Sequence, residues 1–261
     1  MLARQGLGSR REIERWIVAG RVRVNGQAAS IGARVGPSDE VKVDGRLVRR
    51  GSGAASRVLM YNKPEGEVCT RRDTEGRRPV FERLPPLSGS RWLSVGRLDI
   101  NTQGLLLFTN DGELNHRLAH PSSSLEREYA VRVLGEVDPS ALRRLVDGVE
   151  LEDGPARFTS LREVGGDGAN HWFHVTLEEG RNREVHRLWG SQGVRVSRLI
   201  RVRYGPVNLP RWLRAGRYAE LEGPALTELF KTVHLRRSTP RSSVTQTART
   251  RKRIARLPAR R

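Results

Sequence analysis

The chain has 261 residues and a formal net charge of +19, from 48 Lys plus Arg against 29 Asp plus Glu, and only four of the cations are lysines (Lys42, Lys63, Lys231, Lys252). Aromatics are scarce at 5%, yet 36% of residues are apolar and periodically placed, which argues for a packed core over general disorder. There is no run of roughly 20 apolar residues to span a membrane, no apolar centre of a secretory leader after Met1, and lone Cys69 excludes an internal disulfide or a cysteine-rich zinc site.

This balance points to a cytoplasmic protein, away from membranes, whose partner is a polyanion, nucleic acid before others. The charge is unevenly spread. Residues 1–50 carry eleven basic and five acidic residues, and residues 232–261 carry ten basic residues and no acid. The long middle is close to neutral. The expected organisation is therefore a small basic domain at 1–50, a GSGAAS linker at 51–56, a main domain at 57–231 and a basic tail at 232–261. The tail is rich in Ser, Thr and Pro and lacks apolar periodicity, which predicts a disordered phosphate-binding arm.

In the first domain, Ser9 followed three residues later by Glu12 predicts a capping box. Ile13, Trp16 and Ile17 then mark one helical face, ending near Gly20, with Arg10, Arg11 and Arg15 turned away from it. Val22 and Val24 alternate with arginines before Asn25-Gly26, and Val41 and Val43 alternate before Asp44-Gly45, two hairpin signals. A helix with short, Arg-decorated strands suits RNA binding better than chemistry.

In the middle, RVLMYNKP reads as a strand stopped by Pro64, with Lys63 near its end. Leu105–Thr109 reads as a buried strand, closed by an Asn110-Asp111-Gly112 turn. Asp138-Pro139 signals a helix start, with Leu142 and Leu145 on one face and Gly148 near its end. Phe173, Val175 and Leu177 alternate with polar neighbours as in a half-buried strand. The irregular alternation of elements favours an α+β fold with a mixed or antiparallel sheet.

Phosphate-loop, dinucleotide, zinc-protease and nucleophile-elbow motifs are all absent from the sequence. His116 and His120 lie four apart without a nearby carboxylate or thiol, so neither a metal nor a cofactor is expected. Asp99, in the polar segment VGRLDINTQG, is the most informative carboxylate. It either merely stabilises a turn or is presented rigidly at a cleft. If residues 182–190 are helical, Arg183, His186 and Arg187 share the face opposite Val185, Leu188 and Trp189.

Two resemblances bear on these alternatives. GSRREIERWIVAGRVRVNG resembles the S4-type RNA-binding module, which implies an RNA-facing surface including Ser9, Arg10, Arg11, Arg15, Arg23 and Asn25. VGRLDINTQGLLLFTNDGEL, with YNKPEG, REYAV and EGRNREVHRLW in order, resembles the RsuA/RluB-type pseudouridine synthases. The resemblance implies an S4 domain followed by a domain whose mixed, largely antiparallel sheet is split by a central cleft. It implies isomerisation of a specific uridine in ribosomal RNA, 23S favoured over 16S, chemistry that fits the absent cofactor motifs; a monomer is expected. Asp99 takes the catalytic position and Tyr129 that of the K/R-x-Y-x-V tyrosine. Arg97, Arg183 and His186 are supporting residues, and Lys63, Arg181 and Asn182 face the RNA. Related synthases usually carry arginine at the position of His186, paired with the catalytic aspartate. A His186–Asp99 pair would lose its charge as pH rises, and Arg183 or Arg187 is the alternative partner. The competing functions are a small-subunit 16S rRNA synthase and a non-catalytic ribosome-associated RNA-binding protein.

Overall fold

The computed structural model describes residues 1–3, 7–36, 38–48, 55–167 and 170–236. The Ser9 hydroxyl accepts the Glu12 amide while the Glu12 carboxylate accepts the Ser9 amide. This reciprocal cap opens α1 (Arg10–Val18) where the spacing predicts it. Ile13 is buried with Leu2, Val22 and Val41, and Trp16 and Ile17 pack against that cluster. β1 (Val22–Val24), β2 (Gln27–Ala28), β3 (Val41–Val43) and β4 (Arg46–Leu47) form an antiparallel sheet of order β2-β1-β3-β4. Asn25-Gly26 and Asp44-Gly45 all have positive φ, the backbone that two-residue hairpin turns require.

The rest of the chain adds β5 (Val58–Lys63), β6 (Leu93–Ser94), β7 (Thr102–Thr109), α2 (Gly112–Ala119), β8 (Arg127–Leu134) and α3 (Pro139–Asp147). It continues with β9 (Val149–Leu151), β10 (Gly154–Ala156), β11 (Ser160–Asp167), β12 (Asn170–Leu177) and α4 (Glu184–Ser191). β13 (Arg195–Tyr204), β14 (Val207–Asn208), β15 (Tyr218–Glu220) and α5 (Gly223–Thr232) complete it. A nine-stranded sheet runs β11-β12-β8-β13-β7-β5-β15, with β6 on β7 and β14 on β13. β13 and β7 are parallel and their neighbours antiparallel, so the sheet is mixed and largely antiparallel in an α+β fold.

Both faces of this sheet are covered, which is why Leu105–Phe108 is an unbroken apolar run. Leu106 and Phe108 pack with Leu59, Tyr61 and the α4 residues Val185, Leu188 and Trp189. Leu105 and Leu107 pack on the other face with Leu114 and Leu118 of α2 and Leu226, Leu229 and Phe230 of α5. Burying each large apolar side chain contributes about 1.5–3 kcal/mol. Asp138 caps α3 through the Ser140 amide, as expected. Among the described residues no helix is long and apolar enough to cross a membrane.

Three expectations change. Asn110-Asp111-Gly112 does not simply close a turn. The Asp111 carboxylate accepts the Glu113 and Leu114 amides and caps α2, because the same short acid that closes turns also satisfies free first-turn amides. Of the expected linker, residues 51–54 lie outside the described residues, but Ser56 is buried and its hydroxyl donates to Asp111. Of the expected tail, residues 237–261 lie outside the described residues. Its beginning is docked, since Val233 is buried and Arg117 donates to the Val233 and His234 carbonyls.

Candidate active site

Asp99 stands in the segment that leads from β6 into β7. Val95 and Leu98 anchor the segment in the two core clusters, and around Asp99 one buried side chain gathers the backbone carbonyls. The Lys63 ammonium donates to the carbonyl oxygens of Thr102 (2.9 Å), Pro64 (3.0 Å), Asp99 (3.1 Å) and Ile100 (3.3 Å). The Thr102 amide donates back to the Asp99 carbonyl at 3.0 Å. Lys63 is fully buried, and burial pushes its pKa below the ordinary lysine value against the opposing pull of Cys69, Glu67 and Asp99. The expected RNA-facing role of Lys63 is therefore corrected. An ammonium at the end of a central strand is walled in by the loop whose carbonyls it binds.

The Asp99 side chain opens into a cleft of about 250 Å³ and makes no ion pair with a described residue. β8 brings Tyr129 to the same space, β13 brings Leu199 and Arg201, β7 brings Thr102 and α4 brings His186. The registers Leu199↔Thr102 and Arg201↔Tyr129 set these side chains side by side across the sheet. Such cross-strand placement on a covered sheet holds groups far more rigidly than a loop can. Arg97, Arg183, Arg181 and Asn182 also line the cleft.

His186 and Asp99 face each other across this space without a hydrogen bond or an ion pair, so the expected pair is not made. Burial, and then Arg183 beside it, push the His186 pKa below the ordinary histidine value by more than the charge of Asp99 raises it. Its buried Nδ1 has no hydrogen-bond partner. Arg183 is not inside the expected 182–190 helix but precedes it, in the left-handed region at φ 47°. Arg187 turns away altogether and grips Asp153 through two contacts of 2.6 and 2.9 Å. It is excluded as a partner of Asp99.

The remaining expected residues divide by what their polar atoms already do. Arg181 is occupied by Glu179 at 2.6 Å and Asp153 at 3.3 Å. Ser9 spends its hydroxyl on the α1 cap, and Asn25 bonds Asp39 and the Glu40 amide, so both shape the first domain instead of presenting free groups. Arg23 donates to the Gly26 carbonyl and is exposed. Arg10, Arg11 and Arg15 are exposed on α1, and Arg10 reaches a second cleft with Arg91, Asn110, Asn115, His116 and His120. Ala119 borders both clefts.

Among the cleft residues that sequence reasoning missed, three carry buried polar groups that bear on the chemistry. Arg201 is 2% exposed, donates through Nε to the Leu105 carbonyl and leaves Nη2 without a partner. Thr102 Oγ1, equally buried, is also unpartnered. Arg127 is buried, and its guanidinium and that of Arg201 lie 5.2 and 5.1 Å from the Tyr204 ring centre. The alternation Leu199, Arg201 along RLIRVRY was the signal, since it puts an arginine on the same face as a buried leucine. Buried polar atoms without partners are costly, and three of them on one cleft mark a space made for a polar ligand.

A basic S4-like module ahead of a mixed sheet, with an aspartate and a tyrosine facing one central cleft, defines an RNA-modifying class. Residues 57–189 match the RNA pseudouridylate synthase family model and residues 1–41 the S4 domain model. The chain belongs to the RNA pseudouridylate synthase family. Among its relatives is "Ribosomal large subunit pseudouridine synthase B" of Pseudomonas aeruginosa, 58% identical over 239 residues. That alignment covers 90% of this chain and 62% of the relative, so the chain spans well short of that protein's length. The protein of the same name from Escherichia coli (strain K12) is 57% identical, with 90% of this chain and 82% of the relative covered. A crystal structure of a pseudouridylate synthase matches with TM-score 0.61 and 28% identity, covering 88% of this chain and 96% of the other.

Proposed function

We propose that this protein isomerises one uridine of large-subunit ribosomal RNA to pseudouridine, with Asp99 as the reacting carboxylate. The observation that carries this reading is the shared cleft, where the Asp99 carboxylate, in no ion pair with a described residue, Tyr129 and three buried polar atoms without a described partner converge. The 57–58% identical relatives are named as large-subunit synthases, which favours the 23S over the 16S substrate. The reading includes a cytoplasmic monomer.

In this isomerisation the N1–C1′ bond breaks, the freed uracil turns, and C5 bonds to C1′. C5 loses its proton and N1 gains one, so composition is unchanged and no electron carrier is required. The cleft is too small for a duplex, so the nucleotide must leave its stack at a cost of a few kcal/mol. Phosphate contacts from the basic first domain offset that cost. The Asp99 carboxylate acts either on C1′ as nucleophile or on the C2′ proton as base. Tyr129 offers a ring for the uracil and a phenolic oxygen for the C5 proton. Lys63 holds the segment that carries Asp99, and Arg201 and Thr102 offer hydrogen bonds to the base or ribose.

Tritium release from C5-labelled uridine in a 23S rRNA transcript tests the reading. Wild type releases tritium, Asp99→Asn does not, and a 16S transcript gives none. Equal RNA binding by wild type and Asp99→Asn with no release from either would leave only an RNA-binding protein. Deuterium at C2′ separates the two routes, since only proton removal gives a primary isotope effect.

A further inference from the structure

The connection from β14 to β15 carries LPRWLRAGRY, which places an aromatic among arginines. Trp212 is 67% exposed, although an indole of this size normally finds cover. The loop that carries it is nevertheless firmly held. Leu213 is buried in the cluster shared with α2 and α5, and the Asn62 side-chain amide donates to its carbonyl at 2.7 Å. The Gly216 amide donates to the Asn62 carbonyl at 2.7 Å and the Asn62 amide to the Arg217 carbonyl at 3.0 Å. The exposed indole thus stands on an anchored loop.

Arg211, Arg214 and Arg217 flank it, all exposed and none in an ion pair with a described residue. Some arginines elsewhere are paired, as with Arg21–Asp44, Arg57–Glu220 and Arg187–Asp153. Residues 211–217 contain no acid, and the nearest following one, Glu220, is held by Arg57 at 2.7 Å. None of these residues lines the cleft, and Leu213 packs on the sheet face opposite α4.

We propose that this loop is a second RNA contact, where an unpaired nucleotide stacks on Trp212 and its flanking phosphates lie against Arg211, Arg214 and Arg217. An indole face stacks on any base, and arginines pair with phosphates bidentately, so the patch adds affinity without reading sequence. The charge complementarity favours RNA over protein, because three uncompensated cations around an aromatic suit a polyanion. The inference rests on the reading that ribosomal RNA is the substrate.

The test measures binding of the full-length protein to a 23S rRNA transcript and to a short single-stranded oligoribonucleotide over a range of salt. Trp212→Ala should weaken both about tenfold and raise KM for the transcript with kcat close to wild type, and Trp212→Phe should recover most of the loss. Changing Arg211, Arg214 and Arg217 together to Gln should make the slope of log affinity against log salt shallower by about two. Unchanged affinities and slopes would overturn the proposal. So would weaker binding to ribosomal particles with unchanged binding to naked RNA, which would assign the patch to a protein. If wild type forms no pseudouridine but the binding assays respond as expected, the contact stands and only the catalytic reading fails.

Discussion

The ammonium of Lys63 lies 3.1 Å from the backbone carbonyl oxygen of Asp99, so a buried cation helps hold the segment that presents the Asp99 carboxylate to the cleft. The same group binds three other carbonyls, and an ammonium with three donors is fully used in doing so. Lys63 thus helps hold the backbone at Asp99 from a fully buried position.

Lys63→Met keeps the length and apolar stem of the side chain and removes the donors. It should destabilise the protein by about 3 kcal/mol and lower kcat by about a hundredfold as Asp99 drifts. Thermal melts and single-turnover rates on a 23S transcript check both, and an unchanged kcat would separate Lys63 from the positioning of Asp99.

The depressed pKa of His186 reverses the pH dependence that a His186–Asp99 ion pair implies. A lowered pKa means the folded state favours the neutral ring, so stability from this group is present above the ordinary value of 6.5 and is lost as pH falls through the lower folded value. His186→Gln should therefore follow the wild-type rate profile from pH 7 to 9 and lose less stability than wild type in acid. An alkaline limb near neutrality that disappears in His186→Arg would restore the ion-pair account.

Gly104 sits at φ +102° where β7 meets β13, and a Cβ there would lie 2.3 Å from the Arg201 carbonyl oxygen. Gly104→Ala must strain the backbone and push apart the parallel pair beneath the cleft. A loss of about 3 kcal/mol or more is expected in denaturant titrations, with reduced activity in whatever remains folded. A melt like that of wild type would show that the two strands separate freely.

Arg10, Arg11 and Arg15 are exposed on α1 and need not affect folding. Changing all three to Gln should weaken binding to the long transcript and flatten its salt dependence by about two to three in slope. A short hairpin substrate should be affected less. Equal losses on both would place α1 at the target loop itself.

What the sequence determined is what depends on neighbours along the chain. The Ser9/Glu12 box, the Asp138-Pro139 helix start, the Asn25-Gly26 hairpin and the Phe173/Val175/Leu177 alternation are all written within a few residues, and each forms as read. The GRLD segment and REYAV are legible as a family signature, so Asp99 and Tyr129 stand out from the sequence alone. The partners of the charges were not legible. An isolated lysine reads as a surface group because burying an ammonium is costly, and only carbonyls brought in from 36 to 39 residues away make the buried position of Lys63 tolerable. Arg187 reads as a companion of His186 until Asp153, 34 residues earlier, captures it. Arg201 becomes a cleft residue only because β13 pairs with β8 and β7 at once. Local pattern fixes the elements because their hydrogen bonds close within a turn or a hairpin. The electrostatics of the cleft depends on distances between residues far apart in sequence, and only the folded chain sets those.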